Sequence, residues 1–184
     1  MASAGDTRLS KFLSLVLRHE PEAADVALDP AGWVDVEALL TGARSAGVMM
    51  DSADLDRIVK GSDKQRFSLS PCRTRVRAAQ GHSVQVDLGL VPETPADTLW
   101  HGTAEASLAS ILAQGLRSGA RRHVHLSPDH ATAHAVGSRH GKPVVLRVAA
   151  GEAHKDGQVF WRADNGVWLT GPLDPGYLKL QDSA

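Results

Sequence analysis

Along the chain, apolar positions recur first with a helical period and then with a strand period. In RLSKFLSLVLRHEP, Leu9, Phe12, Leu13, Val16 and Leu17 follow the i, i+3, i+4, i+7, i+8 spacing of an amphipathic helix. Thr7 or Ser10 suits its N-cap, and Pro21 disfavours extension past Glu20. On a helical wheel Arg18 falls opposite the apolar stripe and His19 on its flank. DPAGW reads as a turn, DVEALLTGARSAG as a second helix, and SADLDRIVKGS as a third with Leu55, Ile58 and Val59 on one face. RFSLS then alternates like a strand, a turn falls near Pro71, RVRA returns, and SVQVDLGL predicts a further strand.

Helices followed by a basic hairpin describe a winged-helix arrangement. The pattern changes after GLVPETPAD, whose prolines and lack of periodicity mark it as a linker. TLWHGT predicts a short strand, and EASLASILAQG a helix with Leu108, Ile111 and Leu112 on one face and Gly115 as C-cap. HVHLS reads as a strand, DHATAHAVGSRHG as a helix, and KPVVLRVAA as a buried strand. VFWRADNGVWLT is a hairpin turned at Asn165-Gly166. The fold class expected is therefore α+β in two lobes, residues 1–92 and 97–184.

Composition bounds the chemistry. Twenty Lys and Arg against 21 Asp and Glu in 184 residues give no global pull toward a polyanion, so anion binding must come from local patches. One such patch is DKQRFSLSPCRTRVRAAQGHS, where Lys64, Arg66, Arg73, Arg75 and Arg77 face a single acid, Asp63. Cys72 is the one cysteine, which excludes an intramolecular disulfide or a Cys-based zinc site and suits a reducing cytoplasm. No apolar run approaches the ~18 residues of a membrane span, and MASAGDTRLS does not read as a signal peptide.

Seven of the nine histidines lie after residue 100. His130 and His134 share one helical face, but HATAH lacks the glutamate of a zincin helix and has no evident third ligand, so no metal is expected. Neither GxGxxG nor GxxxxGK[ST] is present, so a nucleotide, if bound, is held without these phosphate cradles. GxSxG is absent too, and Cys72 sits beside a proline in a turn, so no nucleophilic triad is legible.

Taken in order, SKFLSLVLRHEP, DKQRF, RAAQGHS, LWHGT, RRHVHLS and NGVWLT resemble the RNA 2′-phosphotransferase family of KptA type, from about Leu9 to Tyr177. The resemblance implies a winged-helix-like lobe followed by an ADP-ribosyltransferase-like lobe that binds NAD as co-substrate. It implies removal of an internal 2′-phosphate from RNA, typically tRNA, by a monomeric enzyme. An Arg-His-Arg-Arg set at the phosphate falls on Arg18, His19, Arg66 and Arg121, with Arg122 as the rival for the last position. Lys64, Gln65, Arg77 and His82 fall at the substrate. His101, Gly102 and Thr103 match the strand motif for ribose and nicotinamide, with His125 and Ser127 beside it and Arg139 toward the pyrophosphate. For Arg18 and Arg139 a helix C-terminal dipole is a sufficient reason by itself.

The implied reaction has two steps. The 2′-phosphate displaces nicotinamide from C1″ of NAD; O2″ then attacks the phosphorus and expels the RNA, leaving ADP-ribose 1″,2″-cyclic phosphate. A glutamate that would activate a protein acceptor has no evident counterpart here, and a phosphate monoester, already anionic, needs none. Two other classes stay open: an RNA-binding module without chemistry, and an ADP-ribosyltransferase acting on nucleic-acid terminal phosphates.

Overall fold

The computed structural model describes residues 4–61 and 65–181. The chain divides into two compact units, residues 1–89 and 90–184. Both mix helices with small antiparallel sheets, as an α+β chain should.

The first unit opens with α1 (Ala4–Arg18), whose stripe buries Leu13, Val16 and Leu17 completely. Thr7 and Ser10, expected as caps, lie inside this helix because it begins earlier, at Ala4. A short 3-10 turn (Pro21–Ala24) follows Glu20, where Pro21 stops α-helical continuation. Next come β1 (Val34–Asp35), α2 (Val36–Ser45) and α3 (Ser52–Lys60). Asp35 caps α2 through the Ala38 N–H, and Asp51 with Asp54 forms a capping box on α3. The hairpin of β2 (Phe67–Leu69) and β3 (Arg75–Ala78) joins β1 in the order β1-β3-β2. Its inner side puts Phe67, Val76 and Ala78 against the helices.

SVQVDLGL forms no strand, contrary to its alternation. Val86 is buried, Val84 and Leu88 are half-buried, and Ser83, Gln85 and Asp87 are exposed, so the alternation marks a covered face. The segment's N–H groups go instead to loop carbonyls: Ser83 and Val84 to Arg18, Asp87 to Pro30. An inward-outward period reports burial on one side, which a loop laid along a core also satisfies.

In the second unit, β4 (Leu99–Ala104), β6 (Pro143–Val148) and β9 (Leu178–Leu180) form one sheet in the order β4-β6-β9. The other sheet runs β5-β8-β7, from β5 (Val124–Leu126), β8 (Trp168–Thr170) and β7 (Phe160–Arg162). The backbones of Trp100 and Ser127 join the two by reciprocal hydrogen bonds of 2.9 and 2.7 Å. Leu99, Leu126, Val148, Phe160 and Trp168 fill the core between them.

Helix α4 (Glu105–Gln114) buries no residue: Leu108 and Ile111 are half-covered and Leu112 is 43% exposed, which narrows the expected apolar face to two positions. Gly115 does cap it, at φ 80°, where a Cβ would stand 2.0 Å from the Leu173 carbonyl oxygen. Helix α5 (His130–Gly137) ends before the predicted Gly141. KPVVLRVAA stops being a strand at Val148, and α6 (Ala150–Lys155) begins inside its predicted end. No helix among the described residues is long and apolar enough to cross a membrane.

Candidate active site

In the first unit, α1 delivers Arg18 as its last residue and His19 just beyond. The Arg18 side chain is half-buried: Nη2 donates to the Arg66 carbonyl at 3.4 Å, and the guanidinium carbon lies 5.9 Å from the Phe67 ring centroid. Gly81, at φ 89°, presents bare backbone to it, since a Cβ there would meet Arg18 Nη1 at 3.6 Å. The Arg18 carbonyl accepts from the Ser83 N–H at 2.9 Å, while Ser83 Oγ and His19 Nδ1 share a 2.9 Å hydrogen bond. The Arg66 carbonyl also accepts from the Ala79 N–H at 2.9 Å. Segments RHE, QRF and AAQGHS, up to 65 residues apart in sequence, are thus stitched together.

The remaining basic residues of this stretch differ in employment. Arg73 pairs with Asp56, and Arg75 with Asp29 at 2.5 Å, so these two tie the hairpin to α3 and to the loop before β1. Asp29 is held below its usual carboxylate range despite the opposing desolvation, because the Trp33 and Ala31 N–H groups and Arg75 all favour its charge. Arg77 lies 4.6 Å from the Trp33 ring centroid, a cation–π stack. Gln65 is exposed, in the left-handed region at φ 39°. His82 is only 4% exposed and packs on the Gly32 backbone, so it lies beneath the loop surface. Lys64 falls outside the described residues.

The second unit gathers His101, His125 and Ser127. His101 on β4 donates from Nδ1 to the His125 carbonyl at 3.1 Å, which fixes its tautomer and leaves Nε2 as an acceptor. Burial pushes its pKa down, outweighing the His125 carbonyl, and so favours the neutral ring. Ser127 is buried and pairs with the neighbouring Trp100 backbone, and Thr103 is buried too.

Gly102 has a packing duty of its own. A Cβ there would stand 1.7 Å from the Ala133 carbonyl oxygen, because α5 lies directly on β4. Gly137 repeats the close approach from the helix side, where a Cβ would stand 2.7 Å from the Thr103 carbonyl oxygen.

Arg121 and Arg122 are both exposed, in the turn before β5. Arg122 stands near enough to His123 to help burial lower that ring's pKa. Arg139 is exposed beyond the end of α5. No hydrogen bond among the described residues ties its side chain to His101 or His125.

Three participants were not singled out by the sequence reading: Ser83 as partner of His19, Phe67 beneath Arg18, and Trp33 beneath Arg77. Each is set by a long-range contact. Ser83 and Phe67 had a sequence signal in their places in RAAQGHS and DKQRF, and Trp33 had none.

Comparison with known proteins agrees with this reading of the motifs. A family model described as RNA 2′-phosphotransferase, Tpt1 / KptA family, matches residues 4–171. A relative from Hahella chejuensis is 53% identical over 175 residues, covering 95% of this chain and 94% of its own. Another from Agrobacterium fabrum is 55% identical over 174 residues, with coverage of 95% and 94%. A third, from Escherichia coli, is 49% identical over 183 residues and is covered completely, against 97% of this chain. All three bear the name "Probable RNA 2'-phosphotransferase". With a match of that extent and relatives of that identity, the chain belongs to the RNA 2′-phosphotransferase, Tpt1 / KptA family.

Proposed function

We propose that this protein removes an internal 2′-phosphate from RNA by transferring it to NAD. The observation that carries the proposal is the knot of Arg18, His19 and Arg66 around residues 79–83, in a chain of this family. On this reading the first unit is a winged-helix-like lobe and the second an ADP-ribosyltransferase-like lobe.

The residues of the second unit suit an NAD ribose. A neutral imidazole with Nδ1–H already committed offers one well-placed acceptor, Nε2 of His101, to a ribose hydroxyl. His125 and Ser127 stand beside it for the nicotinamide end, and Arg139 is assigned to the pyrophosphate, where a planar guanidinium suits phosphate oxygens.

In the first step a 2′-phosphate oxygen bonds to C1″ and the bond from C1″ to nicotinamide breaks, its electron pair leaving with nicotinamide. Arg18 and Arg66 position the incoming dianion. In the second step the ribose O2″ bonds to phosphorus and loses its proton, the bond from phosphorus to RNA O2′ breaks, and O2′ takes up a proton. Charge now builds on the phosphoryl oxygens, which the arginines, with Arg121, stabilise more strongly than in the ground state. His19, oriented by Ser83, supplies the proton to O2′.

The test is a 2′-phosphorylated oligonucleotide incubated with and without NAD, in excess chelator. Loss of the 2′-phosphate only when NAD is present supports the proposal. Inorganic phosphate released without NAD overturns it. Activity that chelation abolishes and zinc restores would overturn the metal-independent mechanism.

A further inference from the structure

The β4-β6-β9 sheet carries a row of side chains that the proposed chemistry does not use. Trp100, Arg147 and Lys179 are directly opposed across its three strands, so all three project from one face. Strand alternation puts His101 on the other face. Arg147 and Lys179 are exposed and Trp100 is half-buried.

Like charges directly opposite each other in a sheet repel and cost stability. Here the repulsion goes unrelieved, since neither cation forms an ion pair among the described residues. Arg147 is nevertheless held in place: Nε and Nη2 both donate to Thr98 Oγ1, at 3.2 and 3.0 Å. Trp100 adds a flat apolar surface, braced edge-on by His130 at 5.3 Å between ring centroids. The Asp129 carboxylate next to His130 is taken up by the Thr132 N–H and hydroxyl.

A guanidinium anchored on Thr98, an adjacent ammonium and an aromatic beside α5, which covers the same face of β4 at Gly102, match the backbone of a polyanion. We propose that this face binds phosphodiesters of a structured RNA outside the reacting nucleotide. The proposal rests on the functional reading above only for the identity of the polyanion. RNA helices are recognised largely through shape and phosphate contacts, which a row of cations can supply without reading sequence.

The test is binding of a base-paired RNA that carries no 2′-phosphate, by wild-type protein and by the double variant Arg147→Gln, Lys179→Gln, over a range of salt. Two lost phosphate contacts should make the slope of log Kd against log salt shallower by about 1.5–2. Turnover of a short 2′-phosphorylated oligonucleotide should be unchanged. An unchanged slope overturns the proposal, as does loss of binding to phosphatidylserine vesicles with RNA binding intact, which would make the face a membrane contact. If circular dichroism shows the double variant misfolded, Lys179→Gln alone is read the same way, with half the slope change expected. If wild-type protein fails to turn over the short oligonucleotide while the slope still changes, the functional reading falls and the RNA face stands.

Discussion

His101 shows how one hydrogen bond and one burial decide what a side chain can do. Its Nδ1–H is committed to the His125 carbonyl, and desolvation keeps the ring neutral, so Nε2 stays an acceptor over a wider range of pH than a solvated histidine allows. His101→Ala should raise the KM for NAD and leave RNA affinity unchanged; equal NAD use in the variant would remove His101 from the site. The same burial links stability to pH. Because the folded pKa lies below the unfolded value near 6.5, the neutral ring's contribution is complete above that value and is lost as pH falls toward the folded pKa. The melting temperature of His101→Gln should therefore decline less steeply than the wild type's below about pH 6.5, and parallel declines would contradict the assignment. His19 and Arg121 are assigned to the second step, so removing either should slow it by on the order of 10²–10³. His19→Ala or Arg121→Ala should then accumulate RNA joined to ADP-ribose through the phosphate, seen as a heavier RNA band that requires NAD. Slower turnover without that band would place both residues in the first step.

Among elements, α5 packs on β4 backbone to backbone at Gly102 and Gly137. Gly102→Ala would drive a methyl into the Ala133 carbonyl, and the strand and helix must part to admit it. A loss of about 1–3 kcal/mol in urea unfolding is expected, and an unchanged midpoint would refute the contact. The LWHGT motif thus carries, beside the histidine proposed for NAD, a glycine needed for packing, and that packing demand was not legible in the sequence. Periodicity located α1, α2, α3, α4 and α5, because each lays an apolar stripe or a capped turn against a core. It failed at residues 83–90, where alternation reports a covered loop, and it ran β6 into α6. The short β1 and β9 left no periodic signal because pairing with longer strands, and not their own two or three residues, defines them. Within the candidate site, the motif residues Arg18, His19 and Arg66 were readable, whereas the contacts of Ser83, Phe67 and Trp33 are long-range and no local pattern announces them.

For the whole molecule, a net charge of −1 means that anion recognition depends on where cations are placed and on which are already spent. Arg73 and Arg75 are consumed by carboxylates of their own unit, while Arg18 is gathered with the Arg66 backbone and His19 at the end of α1. The second unit supplies a neutral histidine on one face of β4 and a cationic row on the other. This division predicts an enzyme whose chemistry on a small 2′-phosphorylated oligonucleotide is separable from its hold on a large RNA. The central claim is that phosphate leaves the RNA attached to the ribose of NAD. Mass analysis of the small-molecule products, after incubation with NAD and a 2′-phosphorylated oligonucleotide, tests it most directly. The account predicts nicotinamide and ADP-ribose 1″,2″-cyclic phosphate in equal amounts, with the RNA left carrying a 2′-hydroxyl at the nucleotide that bore the phosphate. Inorganic phosphate in place of the cyclic compound, or a stable RNA–ADP-ribose adduct as the end product of the unmutated protein, would contradict it.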